Sequence, residues 1–461
     1  MTVYAKPTAD AGADVDICRD DTLNIGGSPT GAGGGSLTYL WYDLTAGVHP
    51  DNIANPEVHP DEETLYQVFV IDDATGCTST DQIYVGFTKI IETGVRVKEH
   101  QRVSTDSGNF NGTLSKKDYW GWSTSAIGDL DGNGVTEIAV GAYANDDNGG
   151  AAGSDFGMVY ILFMETDGTV ISEQKISANT GGLPPGALES KDYFGWSVTG
   201  LRDLDGDGVN DMAVGAIRDD DSVDGDDDQG AVWILVLNAN GPVKNSQKIT
   251  EGTAGFSASL YKKGKVGSSL EDLGDLDGDG VRDLAVGCMD DDDGGRQRGA
   301  VFIMFMNTNG TVKGHYKISD TSGDFPGELQ NNDFFGSAVA APGDINGDGI
   351  GELVIGASGD DVIGGGNKGA IFVFFMNTDG TTQSYQKIGM TGNLTRIGGL
   401  QTPLKNFDFF GTSIEPAGDM DGNGIPDIAV GAPRDDDETT DAGAGYVLFL
   451  DRTGKVDFQG K

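Results

Sequence analysis

The sequence predicts an all-β chain: a propeller-like array of five repeats of about 72 residues, four strands each, preceded by a small β-sandwich. Three observations predict it. GDLDGNGVTEIAVGA from Gly128 recurs as RDLDGDGVNDMAVGA from Arg202, GDLDGDGVRDLAVGC from Gly274, GDINGDGIGELVIGA from Gly343 and GDMDGNGIPDIAVGA from Gly418. The first aspartates, Asp129, Asp203, Asp275, Asp344 and Asp419, are spaced by 74, 72, 69 and 75 residues. Glycine supplies 74 of 461 residues while helix signals are scarce, the composition of many short strands joined by turns.

Residues 1–88 lack the repeat and read as short strands, DTLNIGG, LTYLWYD, TLYQVFVID and TDQIYVGF. Cys18, Trp41 and Cys77 are spaced as in a small β-sandwich whose tryptophan packs on an inter-sheet disulfide; two unpaired buried cysteines are the alternative. Residues 89–461 form the repeat domain. In each repeat a segment such as YWGWS, YFGWS, FFGSA or FFGTS leads into the acidic stretch. An apolar run follows (GMVYILFM, GAVWILVL, GAVFIMFM, GAIFVFFM or GYVLFL), then a turn, then EQKIS, SQKIT, HYKIS or YQKIG. The β-branched and aromatic runs bounded by Gly, Asp and Asn give about four strands per period, the size of a propeller blade. Val95–Ser104 (VRVKEHQRVS) resembles a fourth strand with no blade before it, and the C-terminal GKVDFQGK resembles the start of that same strand. The two compete for one place. A closed five-blade ring is expected, with an open segment completed by other residues as the alternative.

The acidic stretch carries the chemistry. Numbering it 1, 3, 5, 7 and 9 gives Asp129, Asp131, Asn133, the carbonyl of Val135, and Glu137. The second copy has Asp203, Asp205, Asp207, Val209 and Asp211; the third has Asp275, Asp277, Asp279, Val281 and Asp283. The fourth has Asp344, Asn346, Asp348, Ile350 and Glu352; the fifth has Asp419, Asp421, Asn423, Ile425 and Asp427. Alternating oxygens with glycines between them suit a hard cation that accepts an irregular cage of carboxylates, amides and carbonyls. No His or Cys takes part, which disfavours zinc and copper, and magnesium wants stricter geometry, so the expected cofactor is Ca2+, about five ions. An EF-hand needs a bidentate Glu at position 12, where this chain has Val140, Val214, Val286, Ile355 and Val430. The ligand charges are −3, −4, −4, −3 and −3, a total of −17, against +10 from five calcium ions, so binding is expected to couple to folding.

The composition bounds the partners. With 73 acidic and 30 basic residues the net charge is −43, which excludes nucleic acid and anionic membrane as natural partners. No stretch approaches the roughly 20 apolar residues of a membrane span. The opening MTVYAKPTADAG has neither the charged nor the apolar region of a secretory signal.

These residues resemble the FG-GAP repeat, the blade unit of integrin alpha-chain propellers. The F-G element is present at Phe194-Gly195, Phe335-Gly336 and Phe410-Gly411, with Trp120-Gly121 and Val266-Gly267 standing in for it elsewhere. The resemblance implies that the first strand leads into a calcium loop, that the second carries AVGA, and that the face opposite the calcium loops takes part in ligand binding. It implies an extracellular or cell-surface location. Residues 1–88 are similar, more weakly, to PKD-type immunoglobulin-like modules. One departure stands out: integrin-type propellers have seven blades, and five motifs are counted here.

Other features fill in the reading. The loops after Gly-Ala, including Asp219–Asp221 and Asp290–Asp293, are read as solvated, or as holding a further cation or a basic partner. Tyr119, Trp120, Trp122, Tyr193, Trp196, Phe334 and Phe409 are expected in the core and between blades, with a carbohydrate platform as the alternative. Cys288 replaces the alanine of VGA and reads as a small buried residue. Asn111, Asn309 and Asn393 begin glycosylation sequons, and NGT is also ordinary turn chemistry. His49, His59, His100 and His315 do not cluster, and Cys288 has no evident base, so no catalytic residue is assigned and no enzyme is expected. The function expected is adhesion or interaction with a protein or glycan surface ligand. A structural subunit of a surface filament, appendage or layer, including self-assembly, is the first alternative; a polysaccharide-binding protein or lyase is the second.

Overall fold

The computed structural model describes residues 6–13, 15–17, 23–33, 35–44, 47–48, 53–58, 64–87, 100–146, 153–220, 228–325, 328–361, 366–390, 396–397, 400, 404–436 and 441–456. The chain divides into two compact units, Met1–His100 and Gln101–Lys461, so the division falls later than the expected boundary after residue 88. Among the described residues every regular element is a strand.

In the first unit a five-stranded sheet runs in the order Val15–Ile17, Thr78–Phe87, Thr64–Asp72, Leu37–Asp43, Gly47–Val48. Two ribbons, Thr8–Ala9 with Gly31–Ala32 and Leu23–Asn24 with Glu57–Val58, accompany it, and Ala9, Leu23 and Val58 join its core. Thr64–Asp72 alternates strictly between buried and half-buried positions, as a strand with one covered face must. Trp41 is fully buried among Val68, Val70 and Val85, and its indole N–H donates to the Ile53 carbonyl at 3.1 Å. The expected Cys18–Cys77 bridge is not formed. Cys77 is a half-exposed free thiol. It follows the Asp72–Gly76 turn, where its carbonyl accepts from the Asp72 N–H, and so stands at a strand end rather than in the core with Trp41. Cys18 lies outside the described residues.

The second unit holds five antiparallel sheets in succession. Sheet I comprises Thr124–Gly128, Glu137–Ala142, Met158–Met164 and Val170–Ser177; sheet II comprises Phe194–Arg202, Asp211–Ala216, Ala231–Leu237 and Val243–Ile249. Sheet III comprises Val266–Gly274, Asp283–Cys288, Ala300–Met306 and Val312–Ser319. Sheet IV comprises Phe335–Gly343, Glu352–Ala357, Ala370–Met376 and Thr382–Met390, with Arg396–Ile397 added at its edge. Sheet V has three strands, Ser413–Gly418, Asp427–Ala432 and Ala444–Leu448, and Leu450 bridges Val456 where a fourth would start. The third strands of sheets I–IV are buried along their whole length, because both of their faces lie between layers. The first strands of all five sheets line one cavity of about 830 Å3, with Ser125, Thr199, Glu271, Val339 and Glu415 among its walls. Repeated four-stranded sheets with their first strands gathered round one space fit a propeller.

One contact joins each sheet to the next. The glycine of the second-strand VGA lies so close to the F-G glycine of the following sheet that a Cβ on Gly141 would sit 2.1 Å from the Gly195 carbonyl oxygen. The same holds for Gly215 on Gly267 (2.2 Å), Gly287 on Gly336 (2.2 Å) and Gly356 on Gly411 (2.1 Å). A serine hydroxyl seals each junction by donating to that carbonyl: Ser123 to Gly195 at 2.9 Å, Ser197 to Gly267 at 2.7 Å, Ser269 to Gly336 at 2.9 Å and Ser337 to Gly411 at 3.4 Å. The F-G-x-S and VGA elements are therefore two halves of one interface.

Closure between the ends does not occur by this contact. A Cβ on Gly431 would meet only Ser413, the residue beside it in sheet V, and one on Gly121 would meet nothing within 4 Å. Val95–Glu99 and Asp457–Lys461, the bulk of the two competing fourth-strand segments, lie outside the described residues. Gly215→Ala is expected to lower the free energy of unfolding by about 2–4 kcal/mol, because the new methyl meets main chain, while Gly431→Ala costs under about 1 kcal/mol. Urea unfolding of the two variants measures the difference.

Candidate cation loops and the opposite face

Each acidic stretch connects the first and second strands of its sheet, so its curl is set by strand ends nine residues apart in every copy. The glycines at positions 4 and 6 take left-handed φ in every copy, for example +79° at Gly132 and +86° at Gly134. Nothing lies within 4 Å of a Cβ at either position except at Gly347, which faces the Arg452 guanidinium, so backbone conformation rather than space selects glycine there. Asp129 holds the curl by accepting from the N–H groups of Gly132 at 2.8 Å, Asn133 at 3.0 Å and Gly134 at 2.8 Å. Asp203 accepts from Gly206, Asp207 and Gly208, and Asp344 from Gly347, Asp348 and Gly349. Asp275 and Asp419 do the same with two amides each. At position 7 the side chains of Val135, Val209, Val281, Ile350 and Ile425 pack into the cores, pinning the loop to its sheet.

The position 9 acids, Glu137, Asp211, Asp283, Glu352 and Asp427, are all fully buried. Each accepts from the amide following position 1: Leu130, Leu204 at 2.9 Å, Leu276 at 2.9 Å, Ile345, and Met420 at 2.8 Å. The aspartates use their second oxygen for an amide at or just past the end of the third strand, Leu237 at 3.0 Å, Met306 at 3.1 Å and Leu450 at 3.1 Å. In the two glutamate copies, Oε1 of Glu137 and of Glu352 is buried with no hydrogen-bond partner. Burial raises all five acids, Asp211 and Asp283 to about 6 and Glu352 to about 7. Carboxylate oxygens converge within 4.8 Å of one another in five groups: Asp129, Asp131 and Glu137; Asp203, Asp205 and Asp211; Asp275, Asp277 and Asp279; Asp344, Asp348 and Glu352; Asp419, Asp421 and Asp427. An all-oxygen donor set around buried, unmatched negative charge fits a hard divalent cation.

Two lysines missed in the sequence complete the electrostatics. Lys244 Nζ reaches Asp205 at 2.9 Å and Asp207 at 2.6 Å, and Lys313 Nζ reaches Asp277 at 2.5 Å and also Asp279. These hydrogen bonds hold both ammonium groups charged well above the usual range. The two loops so served are the two with charge −4, and one lysine each brings them to the −3 of the others. At the same fourth-strand position sheets I and IV have Ile171 and Gln383.

The loops at the other end of the strands are less solvated than expected. Asp219, Asp290, Asp291, Asp360 and Asp435 are buried; Asp221 lies outside the described residues. The QK lysines explain this: Lys248 pairs with Asp219 at 2.7 Å, Lys317 with Asp291 at 3.1 Å, and Lys387 with Asp360 at 2.5 Å. Each lysine also lies over a third-strand aromatic ring, Trp233, Phe302 or Phe372, as Lys175 lies over Tyr160. In sheets II and IV a second buried aspartate joins. Burial, with repulsion from Asp219, pushes Asp192 up to about 8; burial, with repulsion from Asp360, pushes Asp333 up to about 7.

The aromatic residues divide. Trp120 packs in the core of sheet I as expected. Tyr119 and Trp122 are 51% and 50% exposed, which corrects the core reading for them. With Tyr143, Tyr193 and Trp196 they form a continuous cluster: Tyr119 stacks on Tyr143 at 5.3 Å, and Trp122 meets Tyr143 at 4.9 Å and Trp196 at 4.8 Å. Arg218 lies over Tyr193 at 5.1 Å and is held by Asp228. Tyr119, Tyr193, Phe334 and Phe409, each just before an F-G element, take φ of +54° to +60°. Cys288 is fully buried, as expected, and His315 packs against Phe256 and Phe302. Asn111 and Asn309 are exposed, and Asn309 Oδ1 accepts from Thr311 in a turn; Asn393, His49 and His59 lie outside the described residues.

The fold and the loops define a β-propeller of acidic-loop blades. Its repeats match a known kind: the FG-GAP repeat family profile matches residues 194–235, 335–374 and 410–448. Integrin alpha-PS2 of Drosophila melanogaster is 33% identical over 174 residues, covering 37% of this chain and 12% of that protein. Integrin alpha-5 of Xenopus laevis is 35% identical over 171 residues, 37% of this chain and 15% of its own length. Integrin alpha pat-2 of Caenorhabditis elegans is 28% identical over 254 residues, 52% and 18%. These matches support an FG-GAP β-propeller, and they span less than a fifth of each relative. Among solved structures, a quinonprotein alcohol dehydrogenase-like protein from Bacteroides thetaiotaomicron covers 98% of this chain and 96% of its own at 11% identity, with a TM-score of 0.31, too low to carry an argument.

Two outcomes are expected. Lys244→Met and Lys313→Met each raise calcium affinity several-fold at low salt, read by calorimetric titration, because each removes a positive charge beside a −4 loop. Asp192→Asn stabilises progressively with rising pH. The buried acid favours folding in its protonated form, an advantage complete below its unfolded value near 3.8 and lost as pH climbs to about 8. The melting temperatures of wild type and variant should coincide below about pH 4 and diverge steadily up to about pH 8, with the variant higher.

Proposed function

We propose that this chain is a calcium-binding, extracellular or cell-surface adhesion module whose propeller is stiffened by metal so that its opposite face meets a protein or glycan ligand. The observation that carries the reading is the fivefold recurrence of converging carboxylate oxygens in a loop that ends on a fully buried position 9 acid, which is itself one of the converging three in four of the five loops. A cation would be held by the side chains at positions 1, 3, 5 and 9, and would supply the positive charge that these loops otherwise lack. The exposed cluster of Tyr119, Trp122, Tyr143, Tyr193 and Trp196, at the strand ends away from the loops, supports the ligand half. Aromatic faces bind sugars or apolar side chains with little loss of side-chain entropy. The similarity to integrin alpha chains supports adhesion as the class of function.

EDTA is expected to lower the melting temperature by about 10 °C or more, calcium to restore it, and magnesium to restore it less. A metal-free protein that melts unchanged would remove the calcium reading. In glycan-array and cell-surface binding assays Trp122→Ala should weaken binding about tenfold or more while leaving the melting temperature within about 2 °C. Binding that ignores this substitution would move the ligand away from the cluster.

A further inference from the structure

We propose that Lys387 and Asp360 of sheet IV condense to an intramolecular amide, a covalent tie between the end of the second strand and the fourth strand, with Asp333 as the proton carrier. All four strands contribute to the site. Asp333 precedes the first, Asp360 follows the second, and Lys387 lies on the fourth, in register with Phe372 of the third. Lys387 Nζ stands 2.5 Å from Asp360 Oδ2 and 5.1 Å from the centre of the Phe372 ring. The Lys387 side chain is 17% exposed and that of Asp360 4%. Asp333 is fully buried; its Oδ2 accepts from the Gln330 N–H at 2.7 Å, and its Oδ1 is buried with no hydrogen-bond partner. An ordinary ion pair does not account for this third group. Lys387 balances one carboxylate, and burial with repulsion from Asp360 keeps Asp333 protonated up to about pH 7. A protonated acid is a hydrogen-bond donor, and this one stands beside a paired amine and carboxyl group.

The step balances without any co-reactant. The Lys387 ammonium passes one proton to the Asp360 carboxylate, which removes two opposite charges from a buried site. The neutral amine attacks Cγ of Asp360. Asp333 gives its proton to the departing hydroxyl and takes one back from the nitrogen, ending as it began. One C–N bond forms, one C–O bond breaks and one water leaves. Condensation of an amine with a carboxylic acid is unfavourable in bulk water. Partners fixed by a fold react as though at about 10⁵–10⁸ M, which offsets that penalty.

Two neighbouring sheets show what sheet IV has in addition. Its close approach depends on Gly359, whose N–H donates to the Asp333 carbonyl at 2.9 Å. A Cβ on Gly359 would sit 2.0 Å from the Asn332 carbonyl oxygen, so only glycine lets the Asp333 turn close on Asp360. Sheet II has Asp192, Asp219 and Lys248, but Arg218 replaces that glycine and the corresponding backbone bond is 3.2 Å. Sheet III has Lys317 and Asp291 at 3.1 Å, but Gly264 stands where the second acid would be, its carbonyl accepting from the Asp290 N–H. Sheets II and III therefore keep ion pairs.

Tryptic peptide mapping of the full chain by mass spectrometry, after purification in the folded state, tests this. The peptide containing Asp360 should emerge joined to the one containing Lys387, lighter by one water than the two together. Trypsin should fail to cut after Lys387 and should cut after Lys248 and Lys317. Lys387→Arg should return the missing water and separate the peptides. Asp333→Asn, which keeps both linked residues, should slow linkage about a hundredfold, read as the joined fraction against time after synthesis, and Asp333→Glu should recover part of that rate. Separate peptides of full mass in the wild type would overturn the proposal, whatever the variants do. A lost water that maps to any other pair of residues, or a link at Lys248 or Lys317, would overturn it too. Unchanged linkage in Asp333→Asn would remove Asp333 from the step.

Discussion

The contact on which the rest of the second unit depends is the approach of one glycine to another across consecutive sheets. Gly141, Gly215, Gly287 and Gly356 each press on a carbonyl of the next sheet, 49 to 55 residues further along, closer than any side chain would permit. That spacing fixes the period of the repeat. It brings third strands such as Ala231–Leu237 between two layers, where both faces are buried and only apolar residues serve. It also gathers the first strands round one cavity, which aims the loops at one set of strand ends and the aromatic residues at the other.

Charge is organised around this scaffold at both ends of the strands, by different means. At the loop end the acids converge on one another and only two lysines intervene, one for each loop with an extra carboxylate. At the other end Asp219, Asp291 and Asp360 each have a lysine, held over an aromatic ring. A net charge of −43 is thus distributed unevenly: internally compensated on one side and left for an external cation on the other. Raised acids in both places, Glu352 and Asp333 among them, record how costly buried negative charge is when compensation is incomplete.

The cation loops were legible in the sequence because their chemistry is local: Asp129 through Glu137 make the whole cage within nine residues. The strands were legible for the same reason. What escaped was whatever needs partners far apart. The QK of SQKIT was visible as a repeat, but Lys248 acquires a role only when the fold puts it over Trp233 and beside Asp219. The F-G and VGA elements were recognised as a motif, while their mutual contact joins one repeat to the next across 49 to 55 residues. Tyr119 and Trp122 read as core because aromatic residues beside strands usually are; the left-handed φ at Tyr119 cannot be seen in a sequence that has no glycine there. Spacing places two cysteines in a domain without saying where along a strand they fall, and Cys77 stands as a free thiol just after a turn.

The chain of glycine junctions has one more consequence. Sheets II to IV are held on both sides, whereas sheets I and V each have a junction on one side only. A linear array with nearest-neighbour coupling frays from its termini, and a closed circle has no terminus from which to fray. The five sheets should therefore open sequentially rather than all at once, sheet V first, since it has three strands and one exposed face. Amide hydrogen exchange would display this as a gradient of protection that peaks in the middle sheets, and its flattening would report that the circle had been made.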